Sequence, residues 1–593
     1  MIVACKTVFP VCSDDTKVAF VASIRRRTDA YLSLVLGHFK NDPTACLNAF
    51  ELCMRRKGLS AAVQAARTNN ILSGRYPKLA PLLKEHTIIS RQIAMLATGG
   101  TGTDSARKIA SLSERRRQLE VKLSRSIPEM RIAALAESAD RRAISSILGS
   151  GVLIEFMRIR PFNFEAVYPE PQLDRERYLA FVLPAGEPDN LQMNDLGEAE
   201  PIDQMIATFR AAITTEAESR GQRDLGALPS EPATEPIAES NTRESRALRA
   251  ALLDPLLPAI GNRKRLFIAP DGELTRLPLE ALPMDDGRRL IDDYQISYVS
   301  TGRDVLRFGA ASSGQPVESL VAADPDLNFS SGEAQAQSAI EAVSAAPRGR
   351  LSRDTNISDL EHLGQLQAAQ VEGERIATML GVKPWLGKEV LEARLKACRS
   401  PRILHLATHG FFLADQAPDP NKELRDLGAG QAEGGWGRMS GPGMENPLLR
   451  SGLALAGFKT WLKGGNLPAE AEDGILTAED VSGMDLLATE LVVLSACETG
   501  LGEVRTGEGV FGLRRAFVLA GAKTLVMSLW KVPDEQTQEL MEDFYRRILA
   551  GEPRAEALRA AQLAMKIKYP EPYYWGAFIC QGDPSPLPRH ASM

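Results

Sequence analysis

The stretch LVVLSACETGLGEVRTGEGVFGLRRAF, residues 491–517, decides how this chain is read. Apolar and small residues run unbroken into Ser495, Ala496 and Cys497, then the sequence turns polar and glycine-rich. A short continuous apolar run bounded by turn residues marks a strand buried on both faces. GEGVFGLRRAF then reads as a helix near 508–520. Cys497 therefore stands at a strand tip, and two readings are open there. It is a small hydrophobe closing a core strand, or a nucleophile presented at the strand's end.

Outward from this stretch the same texture repeats over residues 246–584. Strands are expected at RLFIAP (265–270), YQISYVS (294–300), ESLVAA (318–323), RILHLAT (402–408), ELVVLSA (490–496), KTLVMSL (523–529) and GAFIC (576–580). Helices are expected near 369–380, 388–398, 508–520, 534–550 and 554–567. Near-continuous apolar strands alternating with amphipathic helices predict an α/β fold, a mostly parallel sheet covered on both faces. Sheets of this kind carry their chemistry beyond the carboxyl ends of the strands.

A second strand also ends in reactive chemistry, since RILHLAT runs into His409 and Gly410. If the two strands are neighbours, His409 and Cys497 face each other. A thiol titrating near 8.5 needs such a partner, because the thiolate is the nucleophile. An imidazole titrating near 6.5 can take the proton and return it to a leaving amine. The backbone N–H groups of Gly410 and Cys497 are candidate oxyanion donors, and the N-terminus of the following helix would favour the thiolate. His405 and His409 stand at i and i+4, the zinc spacing of a helix; in a strand that spacing is about 13 Å. Without an HExxH glutamate either, no metal site is expected, and His405 reads as a core or supporting residue.

Residues 1–150 place apolar residues three and four apart and read as helical, with an inter-helix loop at 97–108. That loop is glycine-rich but has no Gly-Lys-Ser/Thr, so it is not a phosphate cradle. Tetratricopeptide-like hairpins are compatible with the region, although no 34-residue period emerges. Residues 151–225 read as a small α/β segment packing on the larger domain. Residues 226–245, rich in Pro, Glu, Ser and Thr, read as a linker or surface loop, and 585–593 as a tail.

Composition narrows the partners. The chain has 593 residues, 25% of them charged, and a net charge of -6, which offers nucleic acid no general attraction. The basic runs at 25–27 and 115–117 read as solvated helix faces. No run of eighteen apolar residues suggests a membrane span, and the N-terminus lacks the basic start and clean apolar core of a signal peptide. Seven scattered cysteines without CxxC pairs point to reduced thiols, hence a cytoplasmic location. No cofactor is expected: neither a P-loop nor a set of acidic metal ligands is present, which also argues against a nucleotide hydrolase.

The motifs HLATHGFF, NPLLRSGLALAG, DGILTAEDV, LVVLSACETGLGEVRTGEGVFGLRRAFVLAGAKTLVMSLWKVPD and PYYWGAFICQGD, with the earlier LFIAPDGELTRLPLEAL, closely resemble the CHAT family over residues 246–584. That family consists of caspase-like cysteine peptidases related to separase and often attached to tetratricopeptide repeats. The resemblance implies a caspase-like α/β/α sandwich, with His409 as the catalytic histidine and Cys497 as the nucleophile. It further implies substrate pockets built from loops after the neighbouring strands. Those loops offer Asp324 and Asp326 after ESLVAA, and Asp534 after KTLVMSLW. Asp324 and Asp534 are therefore candidates to receive a basic residue before the cut; the alternatives are a turn at ADPD and a helix N-cap at Asp534. Trp530 packs structurally or lines the groove. The long loop 414–445 reads as a family-variable insertion, or else a flap or activation element. The expected function is a cysteine endopeptidase acting on a protein substrate, gated by a regulatory protein on the N-terminal helices. The alternative is a catalytically silent scaffold with the same fold.

Overall fold

The computed structural model describes residues 14–59, 62, 64–65, 71, 76–99, 103–126, 140–166, 173–223, 236–309, 314–330, 363–364, 366–412, 447–496, 503–506 and 509–588. Cys497, the 414–445 loop and the 585–593 tail beyond residue 588 lie outside the described residues.

In chain order the strands begin with β1 (Val152–Ile159), β2 (Arg177–Pro184), β3 (Gln192–Glu198), β4 (Arg265–Ala269) and β5 (Gln295–Tyr298). Next come β6 (Leu320–Pro325), β7 (Trp385–Gly387), β8 (Ile403–Ala407), β9 (Gly410–Phe412), β10 (Ser451–Ala454) and β11 (Ile475–Thr477). The last are β12 (Leu491–Leu494), β13 (Glu503–Arg505), β14 (Gly509–Phe511), β15 (Thr524–Ser528) and β16 (Phe578–Gly582). The longer helices are α1 (Asp14–His38), α2 (Pro43–Arg56), α3 (Ala80–Gly99), α4 (Thr103–Ser126), α5 (Arg141–Ile147) and α6 (Ala199–Arg223). They continue with α7 (Pro236–Leu252), α8 (Gln367–Leu380), α9 (Leu513–Ala520), α10 (Asp534–Leu549) and α11 (Arg554–Lys568).

One sheet of eleven strands runs in the order β3-β2-β1-β4-β5-β16-β15-β12-β8-β6-β7. β1, β4, β5 and β16 form one parallel block, and β15, β12, β8, β6 and β7 form another. The two blocks meet antiparallel at β15 and β16, and β2 and β3 close one edge as an antiparallel pair. The expected α/β architecture with a mostly parallel sheet is the one observed. The reversal at β15/β16 has a functional consequence. Only the second block sends its carboxyl ends to the edge where β8 and β12 finish. Its middle strands ILHLA, LVVL and TLVMS are buried at every residue, as the continuous apolar runs require.

Several boundaries differ from the sequence expectations. β1 pairs in parallel with β4, Val152 opposite Leu266, so residues 151–225 are not a separate unit leaning on the sheet but part of it. Helix α7 begins at Pro236, inside the segment read as a linker. Proline at a first helical position is compatible with helix formation, and Leu248 and Leu252 further along are fully buried. The helix expected at 508–520 starts at Leu513, because the β-formers of GVF pair as β14 with β13 in a hairpin. The helix expected at 388–398 shrinks to Glu392–Lys396. Helices α3 and α4 reach Gly99 and start at Thr103, taking up most of the expected 97–108 loop. Together they cover Ala80–Ser126, more than the roughly 34 residues of a tetratricopeptide unit.

The N-terminal helices bury their apolar stripes against the sheet. Leu32, Val35, Phe50, Cys53 and Met54 join Leu153, Met157, Leu179 and Phe181 of β1 and β2 in one cluster. Below it lies a buried ion pair, Lys57 Nζ to Glu155 Oε1 at 2.7 Å. Lys57 also donates to the carbonyls of Phe156 and Ala269, at 3.0 and 2.9 Å. Glu155 Oε2 accepts the Gly302 N–H at 2.6 Å. Arg303 donates to the carbonyls of Met54 and Lys57, each at 2.6 Å, satisfying the end of α2. The basic runs are drawn into ion pairs, Arg25 with Glu176 and Arg115 with Glu85. Among the described residues no helix is long and apolar enough to cross a membrane.

A buried acid gives the fold a pH signature. Burial pushes the Glu280 carboxyl up to about 7, against the opposing effect of the Tyr298 hydroxyl that donates to it at 2.6 Å. Burial likewise raises Asp473 to about 6. An acid raised in the folded state binds more protons there than in the unfolded chain. Its stabilising contribution is full below the unfolded value near 4.5 and is lost as pH rises through about 7. Stability measured by urea unfolding is therefore expected to fall between pH 6 and pH 8, with Glu280 contributing about 1 kcal/mol of the change. Glu280→Gln should remove that part of the slope; an unchanged slope refutes the assignment.

Candidate active site

The site lies beyond the carboxyl ends of the second parallel block. β12 pairs with β8 over Leu491↔Ile403 to Leu494↔Leu406, and the Ser495 N–H continues the ladder to the Leu406 carbonyl at 2.9 Å. The strands read as carrying the nucleophile and the histidine are thus adjacent. β8 runs on through Thr408 and His409, and the chain then enters β9, which pairs antiparallel with β10 in a separate three-stranded sheet. The Thr408 hydroxyl donates to the Ala454 carbonyl, and the Ala454 N–H donates to the His409 carbonyl at 2.9 Å. His409 is fixed where the chain passes between two sheets, and this little sheet was not anticipated from the sequence.

His409 is 9% exposed. Its Nε2 lies 2.9 Å from the Gly364 carbonyl oxygen. A carbonyl only accepts, so Nε2 carries the hydrogen and Nδ1 is left with its lone pair. Burial lowers the imidazole below its ordinary 6.5, Lys531 and Lys459 add to this, and the Gly364 carbonyl and Asp534 oppose it. The ring is neutral at neutral pH and able to accept a proton. The alternation of the β9–β10 ladder also matters: because Ala454 bonds His409, Gly410 and Leu453 form the non-bonded pair, and the Gly410 N–H points away from β10.

Asp324 and Asp534 have different surroundings. Asp324 sits at the end of β6 with φ of 43°, a left-handed backbone that a carboxylate side chain tolerates. Its Oδ1 accepts the Leu366 N–H at 2.9 Å. It does not line the cleft described next, but it lies close enough to His409 and Asp534 to interact with both electrostatically. The short carboxylate is turned into the 363–366 segment, which carries Gly364 to His409. Asp534 is the first residue of α10 rather than its N-cap, which is Pro533. Burial raises its carboxyl, and His409 and Lys531 pull it back.

A narrow cleft with about 20 Å³ of room, partly open to solvent, lies at the two strand ends. Thr408, Ser495, Ala496, Glu372, Trp530 and Asp534 face into it. It therefore touches the residue before His409 and the two residues before Cys497. The Trp530 indole N–H is tied to the Tyr573 carbonyl at 3.0 Å, holding the ring as a wall. Glu372, 2% exposed, had no role in the sequence reading. The signal was present: Ala369, Glu372, Gly373 and Ile376 form an i, i+3, i+4, i+7 stripe, and a carboxylate occupies a core-facing place in it. Gly373 lets α8 lie close to the sheet, since a Cβ there would stand 2.5 Å from that of Ala323. Among the described residues, no group of histidine, cysteine and carboxylate side chains is arranged to hold a metal ion.

Comparison with known proteins places the chain in the CHAT domain family, whose model matches residues 242–583, more than half of its length. Among named relatives, mouse Tetratricopeptide repeat protein 28 is 26% identical over 238 residues, and its human counterpart 25% over 245. The matched part is 39% of this chain and 9% of either relative, so the chain spans only a small fraction of those proteins. Among solved structures, a Saccharomyces cerevisiae separase–securin complex overlaps with a TM-score of 0.33 at 10% identity, over 85% of this chain and 36% of that one. The Arg-specific cysteine proteinase gingipain R overlaps with a TM-score of 0.30 at 8% identity, over 60% of this chain and 70% of that one.

Proposed function

We propose that this CHAT protein is a cysteine endopeptidase that cleaves protein substrates through Cys497 and His409. The observation that carries the reading is the neutral, buried His409, held by the Gly364 carbonyl with Nδ1 free, on a strand adjacent to the one that leads into Cys497. In the proposed reaction His409 Nδ1 takes the thiol proton, and the Cys497 sulfur attacks the scissile carbonyl carbon. The Gly410 and Cys497 N–H groups hold the oxyanion. The C–N bond then breaks as His409 protonates the leaving amine, leaving a thioester. Water, deprotonated by His409, attacks the thioester, releases the acid and returns the proton to sulfur. The cleft beside both strand ends receives the residue before the cut, and its acidic lining, Asp534 included, suits a basic side chain.

A regulatory protein partner has a place to act. Helices α3 and α4 share a cluster with Leu449, just before β10, and Arg116 lies 3.8 Å from Glu479, in the short helix Ala478–Ser482. A protein bound to this hairpin would press on segments that lead to both strand ends.

The test is mass-spectrometric. Full-length protein is incubated with a peptidyl electrophile and with native cell lysate, and adducts and new substrate N-termini are mapped. Modification of Cys497, with N-termini that vanish in the Cys497→Ala protein, supports the peptidase. Absence of both, with and without lysate proteins, favours the silent scaffold.

A further inference from the structure

We propose that Asp324 is the positioning residue of His409: it holds the backbone segment whose Gly364 carbonyl sets the imidazole tautomer, and so keeps Nδ1 free to take the thiol proton. This deepens the peptidase reading and rests on it. Asp324 closes the ladder between β6 and β8, one residue beyond the pair Ala323↔Ala407. Its backbone is left-handed, with φ of 43°. Such a conformation is costly outside glycine and persists where the surroundings hold it in place. Here it turns a buried carboxylate out of the strand direction, and Oδ1 accepts the Leu366 N–H at 2.9 Å. Leu366 is the residue from which α8 starts, and its own side chain makes no capping bond. Gly364 stands two residues earlier, its carbonyl oxygen 2.9 Å from His409 Nε2. The relay therefore runs from carboxylate to backbone N–H, and from backbone carbonyl to imidazole N–H.

The segment needs such a tie. Residues 363, 364 and 366 lie outside strands and helices, so no ladder fixes the Gly364 carbonyl. Its Leu366 end is held twice. The Gln370 N–H donates to the Leu366 carbonyl at 3.1 Å and ties the segment to α8. Asp324 ties it to the sheet that carries His409. Without the second tie the carbonyl can drift from Nε2, and a neutral imidazole is then free to carry its hydrogen on Nδ1, where it cannot accept the thiol proton. Charge adds a separate effect. The charged groups facing the ring are Asp324 from β6, Asp534 from α10, Lys531 just before α10 and Lys459 from the short helix Phe458–Leu462. The two carboxylates favour the imidazolium and the two lysines oppose it. Asp324 thus offers an acceptor and a charge, and substitution separates them. Asparagine keeps the acceptor and tolerates the left-handed backbone but has no charge. Glycine tolerates the backbone and has neither.

Two measurements on the full chain test this, one independent of turnover. The first is NMR of protein labelled with ¹⁵N in its histidine rings, where protonated and bare ring nitrogens resonate far apart. The chain has six histidines, and the His409 signals are those lost in His409→Gln. At pH 7.5 wild type is expected to show Nε2 protonated and Nδ1 bare. Asp324→Asn should show the same, and Asp324→Gly should lose that single tautomer. The second compares kcat and KM on a peptide spanning a cleavage site mapped in lysate. Asp324→Gly should lower kcat by on the order of 10²-fold with KM nearly unchanged, the scale of a small misplacement of a reacting group. Asp324→Asn should stay within a few-fold of wild type, with the acid limb of kcat/KM at lower pH, because a negative charge beside the imidazolium is gone. Thermal melting checks the fold of Asp324→Gly; if it melts early, Asp324→Ser, with a shorter side chain, takes its place. A wild-type tautomer retained in the protein that lacks the acceptor overturns the positioning role. Equal losses of kcat in Asp324→Asn and Asp324→Gly also overturn it, since the bond survives in one and not in the other. The expected change of tautomer, with no Cys497-dependent cleavage by wild type, keeps the relay from Asp324 to His409 and overturns the peptidase.

Discussion

Cleavage by Cys497→Ala protein is expected to fall by on the order of 10⁴–10⁶-fold in kcat, because the step that forms the thioester has no substitute nucleophile. His409→Ala should cost about 10²–10⁴-fold, the usual weight of a positioned general base, since a thiol still ionises slightly on its own near neutrality. The pH profile separates this pair from a generic nucleophile. His409 acts as its neutral form, and burial holds its pKa below 6.5. As pH falls through that lowered value the base is protonated and kcat/KM declines, so the acid limb should have its midpoint below 6.5. Asp534 favours the imidazolium; Asp534→Asn should therefore move the limb to lower pH. Stopped assays at constant ionic strength between pH 4.5 and 8 resolve it. Cleavage that persists in Cys497→Ala sinks the nucleophile, and an acid limb above 6.5 that ignores Asp534→Asn sinks the role of His409.

The central strands were legible because a fully buried parallel strand has only one way to look: ILHLA, LVVL and TLVMS are apolar with little polar relief, and each fell within one or two residues of its expected place. Adjacency of β8 and β12 is a matter of topology, which local sequence does not encode, and it became visible only in the ladder. The small sheet β9-β10-β11 escaped for a similar reason. Its strands are three or four residues long and join segments some 40 positions apart, so no local period announces them. At the site, His409 was readable because it ends a strand. Glu372 sits mid-helix among charged residues on the opposite face, and only its position in the apolar stripe sets it apart. Asp324 was chosen for its place after β6, but a left-handed backbone and a neighbouring N–H decide where its carboxylate goes.

The N-terminal helices were the least legible part, and Lys57 tests how they belong to the fold. Lys57→Met is expected to lose about 3–5 kcal/mol of stability in urea unfolding at pH 7, the range for breaking one side of a buried ion pair. The physical cost is specific. Burial already pushes Glu155 up to about 7 even with Lys57 beside it, so without the ammonium its carboxyl keeps a proton. The carbonyls of Phe156 and Ala269 then lose a donor inside the protein, each worth roughly 1–3 kcal/mol when left unsatisfied. Adding Glu155→Gln should restore part of the loss, because the amide can donate where the ammonium did while keeping an acceptor for the Gly302 N–H. The two carbonyls belong to β1 and β4, and Lys57 follows directly on α2. A large loss with one cooperative transition would mean that α2 and the sheet unfold together, so a partner pulling on these helices would strain the sheet itself. A Lys57→Met protein as stable as wild type would instead make the helices a detachable attachment, and the ion pair incidental.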